Sequence, residues 1–357
     1  MAKLHMNKNN LLEEKKYGFG VLRLFLAILV IYEHSFTLGG FGKDLLKRIP
    51  GFDFSTALIA VMSFFVISGF LVTKSYLNSS NIIQFGYKRF LRIMPGFWFC
   101  LLITSFGFGL LIYYMENFSI TNYFSMSPNG PVDFIKNNFF LLIRQYQIGE
   151  LLSSNPFPFV LNGSLWTLFL EAKAYIFLGI LGFTGMLKRK VIILSAYCLL
   201  VGFLATKIEI PYNPNPILRL IFDHYFLTFL TYFLGGSVLY LYKNKIQFTH
   251  KFSLFLLVIF VLSYFLRLEH AVLAVTLPYW IIYLGTITPK SVFDSNVDFS
   301  YGIYIYAFPV MQLAAYLGAN TSQVIFFLTS IVLTLPLALF SWFMIEKPFL
   351  SLKNNKK

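Results

Sequence analysis

The chain has 357 residues, of which 57% are hydrophobic, 19% aromatic and only 12% charged, and its formal net charge is +14. With a mean hydropathy of +0.68, this composition excludes an ordinary soluble domain and places the chain among polytopic membrane proteins, because apolar runs of bilayer-spanning length recur along it. In that setting the excess of Lys and Arg reads as topology, and no nucleic-acid partner is expected.

Hydropathy predicts ten helices in chain order, near 18–38, 54–76, 91–114, 163–185, 190–206, 222–242, 253–267, 271–287, 299–317 and 323–345. The fold class is therefore all-α, a bundle of about ten transmembrane spans. The seventh and eighth are the weakest, since Arg267, Glu269 and His270 leave a tight connection that also suits one bent or re-entrant segment. Most of the 29 basic residues fall on segments that share one side if both termini are cytoplasmic. No A-x-A cleavage pattern follows the first apolar run, so it reads as a retained span. Short tails at 1–16 and 347–357 are expected in the cytoplasm, and the Phe-rich stretch 116–162 is expected to face outward as a lid or interfacial segment. Cys100 and Cys198 lie in apolar runs without CxxC spacing and read as unpaired thiols; no metal site is expected.

Within the first span, Arg23 and His34 are costly in hydrocarbon and require a function or a partner. Eleven helical residues bring the two onto one face, roughly 16 Å apart along the axis. Glu33 precedes His34 and points about 100 degrees away, which makes it a weak candidate for orienting the imidazole. The third span carries Lys88, Arg89 and Arg92 in YKRFLRIMPGFW; Arg89 and Arg92, three apart, form a fork suited to phosphate. Positive-inside anchoring is the plainer reading of that cluster taken alone. Glu171 lies about two turns into the fourth span, with Tyr175 one turn further along its face, and at that depth the carboxyl needs a partner such as Arg23 or His34. Ser300, Tyr301 and Tyr304 place hydroxyls in the ninth span, where tyrosines more often serve as interface anchors.

These patches, in this order, resemble the acyltransferase-3 family of integral membrane acyltransferases, which modify sugar hydroxyls of O-antigen, capsule, exopolysaccharide and nodulation factors. The similarity covers nearly the whole chain. It rests on Arg-x10-His in LRLFLAILVIYEH, on FFVISGFLVTKSY with Ser68, on RFLRIMPGFW, on SLWTLFLEAKAY with Trp166, and on SYGIYIYAFP. Two positions depart from the family: Gly20 stands where many members carry an acidic residue three before the arginine, and Ala307 where many have a histidine.

The resemblance implies a single membrane acyltransferase domain over 1–357, in the inner membrane of a bacterium. No esterase-like extracytoplasmic domain accompanies it, so transfer is expected to be completed by the membrane domain or a separate partner. The implied enzyme is an O-acetyltransferase moving acetyl from cytoplasmic acetyl-CoA, a co-substrate, to a hydroxyl of a surface glycan or lipid-linked sugar. His34, Arg23 and Glu171 would be catalytic: Arg23 steers the thioester, His34 is general base or transiently acylated, and Glu171 fixes its tautomer or charge. Lys88, Arg89 and Arg92 would bind CoA phosphates. Glu33, Ser68, Trp166, Tyr175, Ser300, Tyr301 and Tyr304 would bind substrate or support the site. A polysaccharide or lipid-linked sugar flippase is the alternative, although its buried charges would be spread over more helices than the first, third and fourth.

Overall fold

The computed structural model of the protein describes residues 17–208, 215, 223–295 and 297–354, and these form helices and loops with no strand among them. The expected cytoplasmic tail 1–16 and the last three residues lie outside the described residues. Each of the ten expected spans coincides with a helix. In chain order the helices are α1 (Phe19–Gly39), α2 (Thr56–Leu77), α3 (Ile82–Asn117), α4 (Pro131–Asn138), α5 (Trp166–Phe183), α6 (Lys190–Thr206), α7 (His224–Leu241), α8 (His250–Phe265), α9 (Glu269–Ile287), α10 (Ser300–Tyr316) and α11 (Gln323–Ser351). Six of them, α1, α2, α3, α5, α9 and α11, are long and apolar enough to cross a membrane. A multi-pass membrane protein follows from these helices.

Three expectations are corrected. α8 and α9 are two separate helices joined at Leu266–Leu268, where Arg267 adopts φ 58, so the single bent segment is excluded. α3 begins at Ile82, nine residues before the apolar run, so Lys88, Arg89 and Arg92 sit within a helix that runs through Pro95. The C-terminal tail does not begin at 347: α11 continues through a π-helical turn, Trp342–Glu346, to Ser351, and a 3-10 turn, Leu352–Asn354, follows.

The described residues pack as two compact units where the sequence suggests one domain. The first unit comprises residues up to Arg23, Met62–Ile82 and Ala174–Val297. Its helices meet through small residues, as membrane helices do when backbones must approach closely. A Cβ on Gly69 would lie 1.8 Å from the Phe233 carbonyl oxygen, and one on Gly236 would lie 2.0 Å from that of Val66, so α2 and α7 cross glycine against backbone. Tyr197 of α6 donates to the Ala274 carbonyl of α9 at 2.8 Å. The fully buried Glu269 carboxylate is paired with Lys207 Nζ at 2.9 Å, which satisfies a charge that could not be left alone there. Gly20, one of the two departures from the family pattern, donates its N–H to Asp294 Oδ1 at 2.5 Å, and a Cβ there would lie 2.2 Å from the Phe293 carbonyl oxygen. The site has no room for an acidic side chain.

The second unit comprises Leu24–Val61, Ile83–Lys173 and Asp298–Lys357. Its centre is α10, apolar nearly all round and correspondingly buried on almost every face. Close neighbours hold it: a Cβ on Gly96 of α3 would lie 2.8 Å from Tyr301 Cε1, and a Cβ on Gly302 would lie 3.0 Å from Ala338 Cα of α11. Asn162 donates to the Ile305 carbonyl at 2.9 Å, an acceptor left available because Pro309, four residues further along α10, has no N–H to donate. The segment between α3 and α5 is irregular apart from α4, yet side chains within it satisfy several of its backbone groups. Asn138 Oδ1 accepts from the backbone N–H groups of Arg144 and Gln145 at 2.9 and 3.1 Å, while its Nδ2 donates to the Gln145 carbonyl at 2.7 Å. A buried loop with paired backbone groups keeps one shape.

Candidate active site

α10 carries Tyr301, Tyr304, Phe308 and Gln312 at steps of three and four residues, a stripe on one helical face roughly 16 Å long. Each member meets a different piece of the second unit.

At the start of the stripe, Arg92 Nη2 of α3 lies 2.8 Å from Asp298 Oδ2, and its guanidinium sits over the Tyr301 ring at 5.7 Å. Tyr301 donates its hydroxyl to the Ile93 carbonyl at 2.9 Å, and Ser300 donates to Asp298 Oδ1 at 2.6 Å. Lys353 is within electrostatic reach of both members of this pair and of Lys88 and Arg89. Burial, with the Arg92 and Arg89 charges beside it, holds the Lys353 ammonium down at about 7 from its ordinary 10.5. Two carboxylates, Asp298 and the buried Glu346, thus stand among four basic side chains, Lys88, Arg89, Arg92 and Lys353, an excess of cations that favours a further anion.

In the middle, Tyr304 Oη and Thr167 Oγ1 are 2.5 Å apart, and Tyr304 also donates to the Ser164 carbonyl at 3.1 Å. Glu171 is within electrostatic reach of Tyr301 and Tyr304. The SLWT segment and the SYGIY segment therefore meet side chain to side chain.

At the far end lies a cavity of about 410 Å³ that contains His34. His34 Nδ1 lies 2.7 Å from Glu33 Oε2. With a carboxylate accepting from Nδ1–H, Nε2 is the basic nitrogen left for a substrate. Phe308 stands edge-on to the imidazole with ring centres 5.5 Å apart, and Gly163 permits this, since a Cβ there would lie 2.6 Å from Phe308 Cε2. Trp166 forms another wall, and Tyr146 and Phe157 come from the segment between α3 and α5.

The structure thus brings His34, Glu33, Trp166, Tyr301, Tyr304, Ser300, Glu171, Lys88, Arg89 and Arg92 into one unit. Glu33 is the carboxylate against the imidazole, because its side chain is long enough to reach back to the neighbouring ring despite the 100-degree offset. Arg23 sits three turns before His34 on the continuous α1, as its spacing requires, and is counted with the first unit. Ser68 and Tyr175 also belong to the first unit, where Tyr175 is buried with its ring 6.2 Å from that of Phe233.

Missed from the sequence were Asp298, Lys353, Tyr146, Phe157 and Gln312. Two signals existed. Asp298 stands two residues before the SYGIY segment, and Gln312 is a lone amide in an otherwise apolar helix, which must find partners.

The chain is similar in sequence to known proteins. An O-acetyl transferase of Shigella phage Sf6 is 29% identical over 354 residues, covering 96% of this chain and 98% of that protein. Nodulation protein 10 of Rhizobium leguminosarum bv. viciae is 44% identical over 78 residues, 22% of this chain and 21% of that protein. No solved structure matches the chain. Residues 16–343 match the acyltransferase domain that defines the acyltransferase-3 family. A half-buried histidine–carboxylate pair, a cluster rich in cations and a tyrosine stripe between them thus stand in a chain that belongs to the acyltransferase-3 family and is an acyltransferase.

Proposed function

We propose that this enzyme moves an acetyl group from cytoplasmic acetyl-CoA to a hydroxyl of a cell-surface glycan or lipid-linked sugar, as a ten-span protein of a bacterial inner membrane with both termini in the cytoplasm. The observation that carries this reading is the His34–Glu33 pair facing a cavity in a member of an acyltransferase family. Likeness to an O-acetyl transferase over nearly the full length supports acetyl as the group moved.

The phosphates of the donor would rest on Lys88, Arg89 and Arg92, where charge-assisted bonds replace water. Its thioester would reach along the stripe of α10 past Tyr301, Tyr304 and Glu171 toward His34. His34 Nε2 would accept the proton of the sugar hydroxyl as its oxygen attacks the thioester carbonyl carbon. The carbon–sulfur bond then breaks, the imidazolium returns the proton to the departing thiolate, and Glu33 stabilises the imidazolium between the two transfers. The products are the acetyl ester and free CoA.

Comparing the O-acetyl content of surface glycan by NMR with the wild-type gene, without it and with His34→Ala tests the reading. Acetyl groups should vanish in the last two. Full acetylation by His34→Ala protein would refute the mechanism, and an unchanged glycan in the deletion would refute the function.

A further inference from the structure

The roof of the His34 cavity is fastened by a single side chain. Gln312, fully buried on α10, donates from Nε2 to the Phe157 carbonyl at 2.8 Å and to the Val160 carbonyl at 2.6 Å. Its Oε1 accepts from Asn155 Nδ2 at 2.8 Å, and its main-chain carbonyl accepts from the same group at 2.9 Å. Both donors and the acceptor of one amide are thus spent on one turn, Asn155–Val160. That turn needs support: Phe159 has φ 64, an unfavourable conformation for a residue with a side chain. The Leu161 N–H donates to the Tyr146 carbonyl at 2.9 Å, which ties the turn to the stretch of chain that brings Tyr146 to the cavity. Gln312 lies one helical turn beyond Phe308, so a single face of α10 supplies one wall of the cavity and fixes the opposite one.

The chemistry of the walls indicates what enters. Tyr146, Phe157, Trp166 and Phe308 present aromatic faces, while the ionisable lining consists of His34 and Glu33 alone. No Lys or Arg lines the cavity among the described residues. Such a site has no counter-charge for a phosphate or carboxylate, and the Glu33 carboxylate opposes one. It suits a ring with apolar C–H faces and hydroxyls at its edge, and its volume falls in the range of small-ligand sites. This excludes the nucleotide end of the donor from this cavity.

Resting on the acyl-transfer reading above, we propose that Tyr146 and Phe157 form an acceptor subsite for a neutral pyranose ring, and that Gln312 is a positioning residue which sets this subsite over His34. The acceptor preference of the enzyme would then be written in the irregular segment before α5.

The test uses the full-length protein in lipid nanodiscs with labelled acetyl-CoA and p-nitrophenyl hexosides, each paired with its hexuronide. Wild-type protein should acetylate at least one neutral hexoside and discriminate against the matching hexuronide. Phe157→Ala should raise the hexoside KM about tenfold, the size of a lost aromatic contact, with the acetyl-CoA KM unmoved. Phe157→Tyr should restore it. Gln312→Glu, which keeps the size but loses both donors, should also raise the hexoside KM. Unchanged hexoside KM in both Phe157→Ala and Gln312→Glu, or equal use of the hexuronide, would overturn the proposal while leaving acetyl transfer intact. Wild-type protein that neither transfers nor hydrolyses acetyl from acetyl-CoA would instead overturn the parent reading, and this one with it.

Discussion

The two ends of α10 meet their neighbours through opposite chemistries. At Tyr301 the surroundings are charged, with Arg92 paired to Asp298, Glu346 within reach of both, and Lys88, Arg89 and Lys353 adding an excess of cations; at Phe308 they are aromatic, with one histidine–glutamate pair. An anion gains at the first end and loses at the second. On the proposed reading the polyanionic donor belongs at the first end and the neutral acceptor at the second, with the tyrosines of the stripe between. Substitutions at the two ends should therefore separate into donor and acceptor effects.

The largest effect is expected at His34. Removing the only nitrogen base of the cavity in His34→Ala should lower kcat by about a thousandfold or more, the usual contribution of a general base, without loss of expressed protein. Turnover of labelled acetyl-CoA in purified protein measures this. A kcat within a few-fold of wild type would show that the aromatic end holds substrate without acting on it.

Next is the Glu33 carboxylate. Glu33→Gln keeps the shape but can present an amide N–H to Nδ1, which favours the wrong tautomer, so kcat should fall about a hundredfold. The KM for either substrate should change little. A drop confined to acceptor KM would demote Glu33 to a binding role.

At the cationic end, Arg92→Lys keeps the charge but loses the planar fork, and should raise the acetyl-CoA KM about tenfold with the acceptor KM unmoved. Arg92→Ala would also take from Asp298 its ion partner, so its effect mixes binding with stability. Thermal stability measured beside the kinetics of both variants separates the two. If Arg92→Lys changed the acceptor KM instead, the donor and acceptor ends would be exchanged.

How far this comparison could be read from the sequence differs between its ends. The helices were legible because runs such as Thr56–Leu77 are too apolar to be anything else. The start of α3 was not, because QFGYKRFLR is an amphipathic basic segment that forms helix without a long apolar run. His34, Arg92, Trp166 and Tyr301 were legible through motifs of fixed spacing. Tyr146 and Phe157 were not: aromatic residues in an irregular segment have no period, and only the bonds from Gln312 reveal where they are held. Glu33 was undervalued for a geometric reason, since ideal helical directions describe Cβ atoms and not the end of a flexible carboxylate side chain.

Lys353 gives the smallest and most specific effect. Sequence position makes it tail; the structure puts it beside Arg92 and Arg89, where burial and those charges hold its ammonium at about 7. Phosphates arriving at this end would stabilise the charged form, so the donor-bound amine holds its proton to higher pH than the donor-free one. The sign follows. At low pH both forms are protonated and the donor gains the full attraction; as pH rises above about 7 the donor-free amine loses its proton, and binding must first put it back. The acetyl-CoA KM should therefore climb with pH above about 7, by at most tenfold per unit, and the climb should flatten in Lys353→Met while the acceptor KM shows no such dependence. Isothermal titration of CoA in two buffers of different ionisation enthalpy offers the same test without turnover, since wild-type protein should take up protons near pH 8 and Lys353→Met should take up fewer. Equal proton uptake by the two proteins would remove Lys353 from the donor end and leave the contrast between the ends of α10 to Arg89 and Arg92.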